Sequence, residues 1–131
     1  MRAQEVARTG LAVVAWLFVA CIFVQIFLAG LGVFDSPQAF ITHRDFGYIF
    51  GWLTLVMVIL AVVARSGRRL IALTALALLL FALQSVFIAV RTDYPAVASL
   101  HPVNGVLLLL VAIVVGRDAM ALRSRAPEAA A

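Results

Sequence analysis

Lysine is absent from this chain of 131 residues, cysteine occurs once, histidine twice and proline four times, and only 12% of the residues are charged. Each scarcity closes a class of function. The lone Cys21 cannot form an intrachain disulfide, and there is no C-x-x-C-H segment for covalent haem attachment. Two histidines and one distant cysteine do not make a three- or four-ligand zinc or copper site, because the carboxylates fall in loops. No nucleophile, base and orienting group occur in a recognisable set, and no glycine loop is built to cradle phosphate, so hydrolase and transferase readings have no support. Runs of five or six like charges are also missing, so the net charge of +4 calls for no nucleic-acid partner. Ten arginines without a lysine, in a chain rich in alanine and valine, point to a high-GC bacterial genome.

Apolar residues are what the chain has in excess. They make up 66% of it, and the mean hydropathy is +1.15. A soluble domain of this size has too little interior to hold so much apolar surface, so an integral membrane protein is expected. Charges divide the chain into uncharged runs of 26 residues (Arg8 to Asp35), 19 (Asp45 to Arg65), 21 (Arg69 to Arg91) and 23 (Asp93 to Arg117). A helix crosses the hydrocarbon core with about 20 apolar residues. The expectation is an all-α membrane protein with four spans, at about residues 10–34, 37–64, 70–90 and 96–116, in one domain over residues 1–125. A disordered tail is expected at 126–131. The runs are apolar throughout, without the alternation of a membrane β-barrel. The basic start and following apolar stretch have the outline of a signal peptide. The stretch is too long and lacks a small-residue cleavage site, so it is read as a retained first span.

Arginine sets the expected orientation. Arg2 and Arg8 precede span one, Arg65, Arg68 and Arg69 join spans two and three, and Arg117, Arg123 and Arg125 follow span four. The positive-inside bias then places both termini and the middle loop in the cytoplasm, within a bacterial cytoplasmic membrane. Short connections favour an up-down-up-down four-helix bundle, with spans one and three on one diagonal and spans two and four on the other.

The chain also repeats itself. Asp35, Pro37, His43 and Gly47 spell D-x-P-x5-H-x3-G, and Asp93, Pro95, His101 and Gly105 spell it again. A glutamine precedes each copy, Gln25 and Gln84. Spans one and two therefore form one helical hairpin, and spans three and four its repeat. Asp or Ser is expected to cap each second helix, with Pro37 and Pro95 in the first turn. Pro102 either begins the regular part of span four or kinks it. At about 1.5 Å per helical residue, Gln25, His43, Gln84 and His101 fall at similar depth, forming a polar layer in the outer half of the bundle.

Intramembrane ionisable groups are costly and face the interior. Each histidine is followed one turn later by a glycine, which leaves a flat gap beside the helix. A planar macrocycle gripped by two imidazoles needs such a gap, so haem b is the expected cofactor, with His43 and His101 as axial ligands on facing helices. Gln25 and Gln84 would hydrogen-bond imidazole nitrogens or propionates, and Arg44 and Arg91 would pair with propionates at the outer surface. Gly47 and Gly105 would line the site. Two other readings use the same residues. In one, the histidines and glutamines only lock the helices of an accessory subunit, and the glycines allow close packing. In the other, the layer is the binding site of a small-ligand transporter that works as a dimer.

The segment ITHRDFGYIFGWL, preceded by QIFLAGLGVF and echoed by HPVNGVLLLLVAIV, resembles a family of small four-span bacterial membrane proteins with no settled function. The layout also resembles one half of haem A synthase, whose four-helix halves each carry a histidine pair on the second and fourth helices. More loosely it resembles bis-histidine cytochrome b bundles. The His43-Arg44 step with glycine following is similar to the histidine motif of haem A synthase. The chain departs from that family in having one bundle and in lacking the glutamate that accompanies the motif in the substrate half. The resemblance therefore implies haem carriage or electron transfer. From the residues and topology, the expected place is near the outer membrane face, with a quinol, a redox protein or a second copy of the chain as partner.

Overall fold

The computed structural model describes residues 2–124. The described residues form helices and turns only. They are α1 (Arg2–Phe34), α2 (Ala39–Val63), α3 (Arg68–Ala89), the four-residue α4 (Pro95–Ala98) and α5 (Leu100–Ser124). Four segments are long and apolar enough to cross a membrane, with α4 and α5 together making the fourth. Helix α1 packs against α2 and α5, and α3 packs against the same two, so α1 and α3 lie on one diagonal and α2 and α5 on the other. This is the up-down-up-down bundle. The expected tail at 126–131 lies outside the described residues.

Helix boundaries depart from the apolar runs in instructive places. α1 begins at Arg2, eight residues before the expected start of span one, because Ala3, Gln4, Glu5 and Ala7 are good helix formers and continue the helix past the apolar stretch. α5 likewise runs on to Ser124. The expected side-chain caps do not form. Ahead of α2 the chain makes tight turns, with Ala39 N–H donating to Ser36 O (2.9 Å) and Phe40 N–H to Pro37 O (3.1 Å). Gln38, not Asp35 or Ser36, stands at the cap position, and no side chain bonds the helix there. Tyr94 holds the corresponding place before α4, again without a capping bond, and Pro95 occupies the first turn as expected. Pro102 acts one turn upstream of itself. It has no N–H to offer the Ala98 carbonyl, and the helix is interrupted at Ser99 between α4 and α5. Between α2 and α3 the chain reverses through Arg65 (φ 50°) and Gly67 (φ 85°), the second in a region that glycine adopts without strain.

The core is assembled from small residues and one aromatic cluster. Ala12, Ala15, Ala61, Ala77, Ala112 and Ala119 are buried where helices approach, as expected when close backbone packing replaces a hydrophobic drive between helices. Phe18 of α1, Phe50 of α2 and Phe81 of α3 meet with ring centroids 5.3, 5.5 and 6.1 Å apart, and Phe46 joins at 5.2 Å from Phe50. Space for Phe81 comes from Gly51, where a Cβ would run into its ring. The hydroxyls of Thr54 and Thr74 are buried and return their protons to Gly51 O (2.7 Å) and Ile71 O (2.8 Å), so neither is left unsatisfied in hydrocarbon. At the opposite end of the bundle from the polar layer, Trp16 lies on Gly116 and donates Nε1–H to Met120 Sδ (3.0 Å), while Arg69 pairs with Asp118.

Gly51→Ala forces the Phe81 ring out of a cluster that holds it on two sides. The expected cost is about 1–3 kcal/mol of unfolding free energy, read by denaturant titration in detergent. An unchanged midpoint would show that the ring has room to move.

Candidate functional site

The polar layer is built twice, once in each hairpin. In the first, His43 in the second turn of α2 points its Nδ1 at the backbone carbonyl of Gln25 on α1, 3.0 Å away. In the second, His101 at the start of α5 points its Nδ1 at the carbonyl of Gln84 on α3, 3.2 Å away. A carbonyl can only accept, so His43 Nδ1 donates in its bond and leaves the lone pair on Nε2, whereas His101 Nδ1 lies between the Gln84 carbonyl (3.2 Å) and the Gln84 side-chain amide (3.1 Å). Neither Nε2 has a hydrogen-bond partner among the described residues. Both imidazoles are half-buried. Across the α2–α5 diagonal their ring centroids lie 6.2 Å apart with the planes inclined at 62°.

The glycines one turn below serve the glutamines. A Cβ on Gly47 would sit 2.8 Å from Gln25 Nε2, and one on Gly105 would sit 3.2 Å from the Gln84 terminal amide. The flat space expected beside each histidine is therefore occupied by a glutamine side chain from the neighbouring helix. In the second hairpin the Gln84 amide lies 3.0 to 3.2 Å from His101 Nδ1, His101 O, Asn104 Nδ2 and Gly105 N. In the first hairpin Gln25 Oε1 is enclosed and has no partner among the described residues. Each unit of the layer thus ties two adjacent helices by one histidine–carbonyl bond and one glutamine seated on glycine.

The structure joins Gln25, His43 and Gly47, then Gln84, His101 and Gly105, and brings the two sets face to face. It does not bring Arg44 or Arg91 to them. Arg44 bonds its own neighbour Asp45 (2.8 Å) on the exposed face of α2, and Arg91 donates to Ile88 O (3.1 Å) at the end of α3. Two contributors escape the sequence pattern. Asn104, buried three residues after His101, donates Nδ2–H to Leu80 O (2.8 Å) and links α5 to α3. Phe40 sits over Gly32, with its ring 6.4 Å from His43 and edge-on to it. The repeat register places Ala98 and Asn104 where the first copy has Phe40 and Phe46. The signal for Asn104 was its spacing, since a polar residue three positions after a histidine shares its helical face.

Beneath the layer the Phe18–Phe50–Phe81 cluster closes the interior. Phe50 follows His43 by seven residues, about 10 Å along the helix, and Phe18 is fully buried. A separate apolar groove of about 440 Å³ opens between α2 and α3 beside Trp52, Thr54, Leu78 and Phe81. It does not reach either histidine. Among the described residues no three histidine, cysteine or carboxylate side chains cluster as metal ligands.

These features define a four-span helical membrane protein with a duplicated histidine–glutamine layer near one end. The chain belongs to DUF6220, a family of unknown function, whose profile matches residues 25–91. That stretch takes in Gln25, His43, Gly47 and Gln84 and stops short of His101 and Gly105. No curated protein and no solved structure matches the chain.

Gly47→Ala drives a methyl group into the Gln25 amide. A Gln25→Ala change should relieve that clash, so the two substitutions are expected to be non-additive, with a coupling of about 1–2 kcal/mol in a double-mutant cycle of unfolding free energy. Strict additivity would mean that the glutamine does not rest on the glycine.

Proposed function

We propose that this protein binds haem b between His43 and His101 and carries electrons or handles haem in a bacterial cytoplasmic membrane. The observation that carries the reading is the pair of facing imidazoles whose Nδ1 atoms both lie against backbone carbonyls. A metal-ligating histidine is held in this way, because a bond to the other ring nitrogen fixes the tautomer and directs the Nε2 lone pair outward. The two rings lie 6.2 Å apart on facing helices, and His43 and His101 would hold the iron from opposite sides.

The residues present fit the group in donor type and number, two imidazoles, and the glutamine side chains that fill the glycine gaps would move aside for the macrocycle. His43 and His101 would hold it, and bound haem would supply reversible one-electron chemistry. Gln25 and Gln84 occupy the glycine shelves beside the rings, and the unpartnered Gln25 Oε1 is an acceptor awaiting a donor. Arg44 and Arg91, each bonded locally, would pair with propionates only by exchanging those partners. The arginine distribution supports placing both termini in the cytoplasm and the polar layer toward the outer face. The aromatic cluster beneath the layer supports a site reached from that face alone, with a quinol, a redox protein or a second copy of the chain as partner.

A packing role draws on the same bonds. Each histidine already ties two helices, which is what an accessory subunit locked by its polar layer requires. Absorption spectroscopy separates the two readings. Detergent-purified protein is expected to show a Soret band and a sharp reduced α-band, with haem b identified by pyridine haemochrome. His43→Ala and His101→Ala should each abolish both bands while the helical circular dichroism is retained. A folded protein that stays colourless after hemin is added would leave the packing role in place of the haem reading.

A further inference from the structure

The two ends of the bundle differ sharply in charge. The end formed by the start of α1, the α2–α3 turn and the close of α5 carries seven arginines and two carboxylates, Glu5 and Asp118, among the described residues. The other end carries Arg44 and Arg91 with three aspartates. Only one ion pair, Arg69–Asp118, offsets the positive end among the described residues.

Two side chains there are distinct from arginines that merely reach for water. Arg8 is half-buried on α1, one turn before the buried Leu11 and Ala12, and its Nε is enclosed without an acceptor among the described residues. Ser66, in the α2–α3 turn, has its Oγ enclosed and without a partner among the described residues as well. Gly10 packs on Leu60, so Arg8, two residues nearer the end, is level with the last turn of α2, which leads into Ser66. A guanidinium N–H and a hydroxyl that lack acceptors, in a field of uncompensated arginines, suit an anion with several acceptor oxygens. The uncharged runs of spans one and two begin after Arg8 and end before Arg65, which sets this corner at the height of lipid headgroups. Val6, Val62 and Val63 are exposed on the same turns and offer acyl chains an apolar flank.

We propose that this corner binds the phosphodiester headgroup of an anionic phospholipid. Arg8 and Ser66 make the polar contacts, while Arg65 and Arg68 supply the surrounding charge. Basic pockets between helix ends on the arginine-rich side of a membrane protein are suited to such headgroups. The site is independent of the histidine layer at the far end.

The test is native mass spectrometry of the detergent-purified chain with added phosphatidylglycerol or phosphatidylethanolamine of matched acyl chains. Wild type is expected to retain phosphatidylglycerol in preference. Arg8→Gln should weaken that retention about fivefold, the equivalent of one arginine's attraction at a membrane surface, and leave phosphatidylethanolamine unchanged. Ser66→Ala should act in the same direction, and Arg91→Gln at the opposite end should do nothing. If Arg8→Gln does not fold, Ser66→Ala and Arg8→Lys decide the matter. Equal retention of the two lipids, no effect of the Arg8 and Ser66 changes, or full displacement by inorganic phosphate would overturn the lipid assignment.

Discussion

A polar side chain buried in hydrocarbon must find its partner within the protein, because each unsatisfied group costs several kcal/mol there. The half of the bundle that holds the histidines is organised by that demand. His43 and His101 meet it by turning Nδ1 to the carbonyls of Gln25 and Gln84 on the preceding helix, so each histidine staples its own hairpin. The staples set the depth of α2 against α1 and of α5 against α3. With both hairpins fixed in the same way, the imidazoles arrive opposite one another across the bundle. A single requirement thus produces both the helix register and the paired site.

Glycine has a specific part in this arrangement. Gly47 and Gly105 look like a smooth shelf for a flat ligand when only their own helix is considered. With the neighbouring helix in place, they are the seats of two glutamine side chains, and Gly51 and Gly116 serve Phe81 and Trp16 in the same way. Each glycine lets a large side chain cross from the adjacent helix, which brings backbones close without an apolar drive between them.

The repeat is a repeat of bonds more than of surroundings. Both copies keep the glutamine, histidine and glycine. Around them, Phe40 and Phe46 flank His43, where Ala98 and Asn104 flank His101. Asn104 adds a third tie, from α5 to Leu80 of α3, in the hairpin whose helix is broken at Ser99 by Pro102. The second copy has lost continuous helix near its histidine and gained a polar bond. The first keeps an unbroken α2 and aromatic walls.

Four spans, their hairpin pairing and the duplicated histidine motif are legible in the chain because they depend on local quantities: the length of uncharged runs, the shortness of loops and residue spacing along a helix. The equal depth of Gln25, His43, Gln84 and His101 follows from the same spacing. What fills the space beside each glycine does not, since that side chain comes from another helix. The direction of each histidine's Nδ1 likewise depends on a carbonyl 17 or 18 residues away in the chain. The helix starts at Arg2 and Ala39 also escape apolar patterning, because helix formation outside the hydrocarbon is governed by propensity and turn geometry. Sequence by itself determined the number of spans, their pairing and the level of the polar layer. Only tertiary structure decided that the glutamines rest on the glycines and that each histidine turns its Nδ1 to a carbonyl of the preceding helix, because each of those facts is a contact between helices.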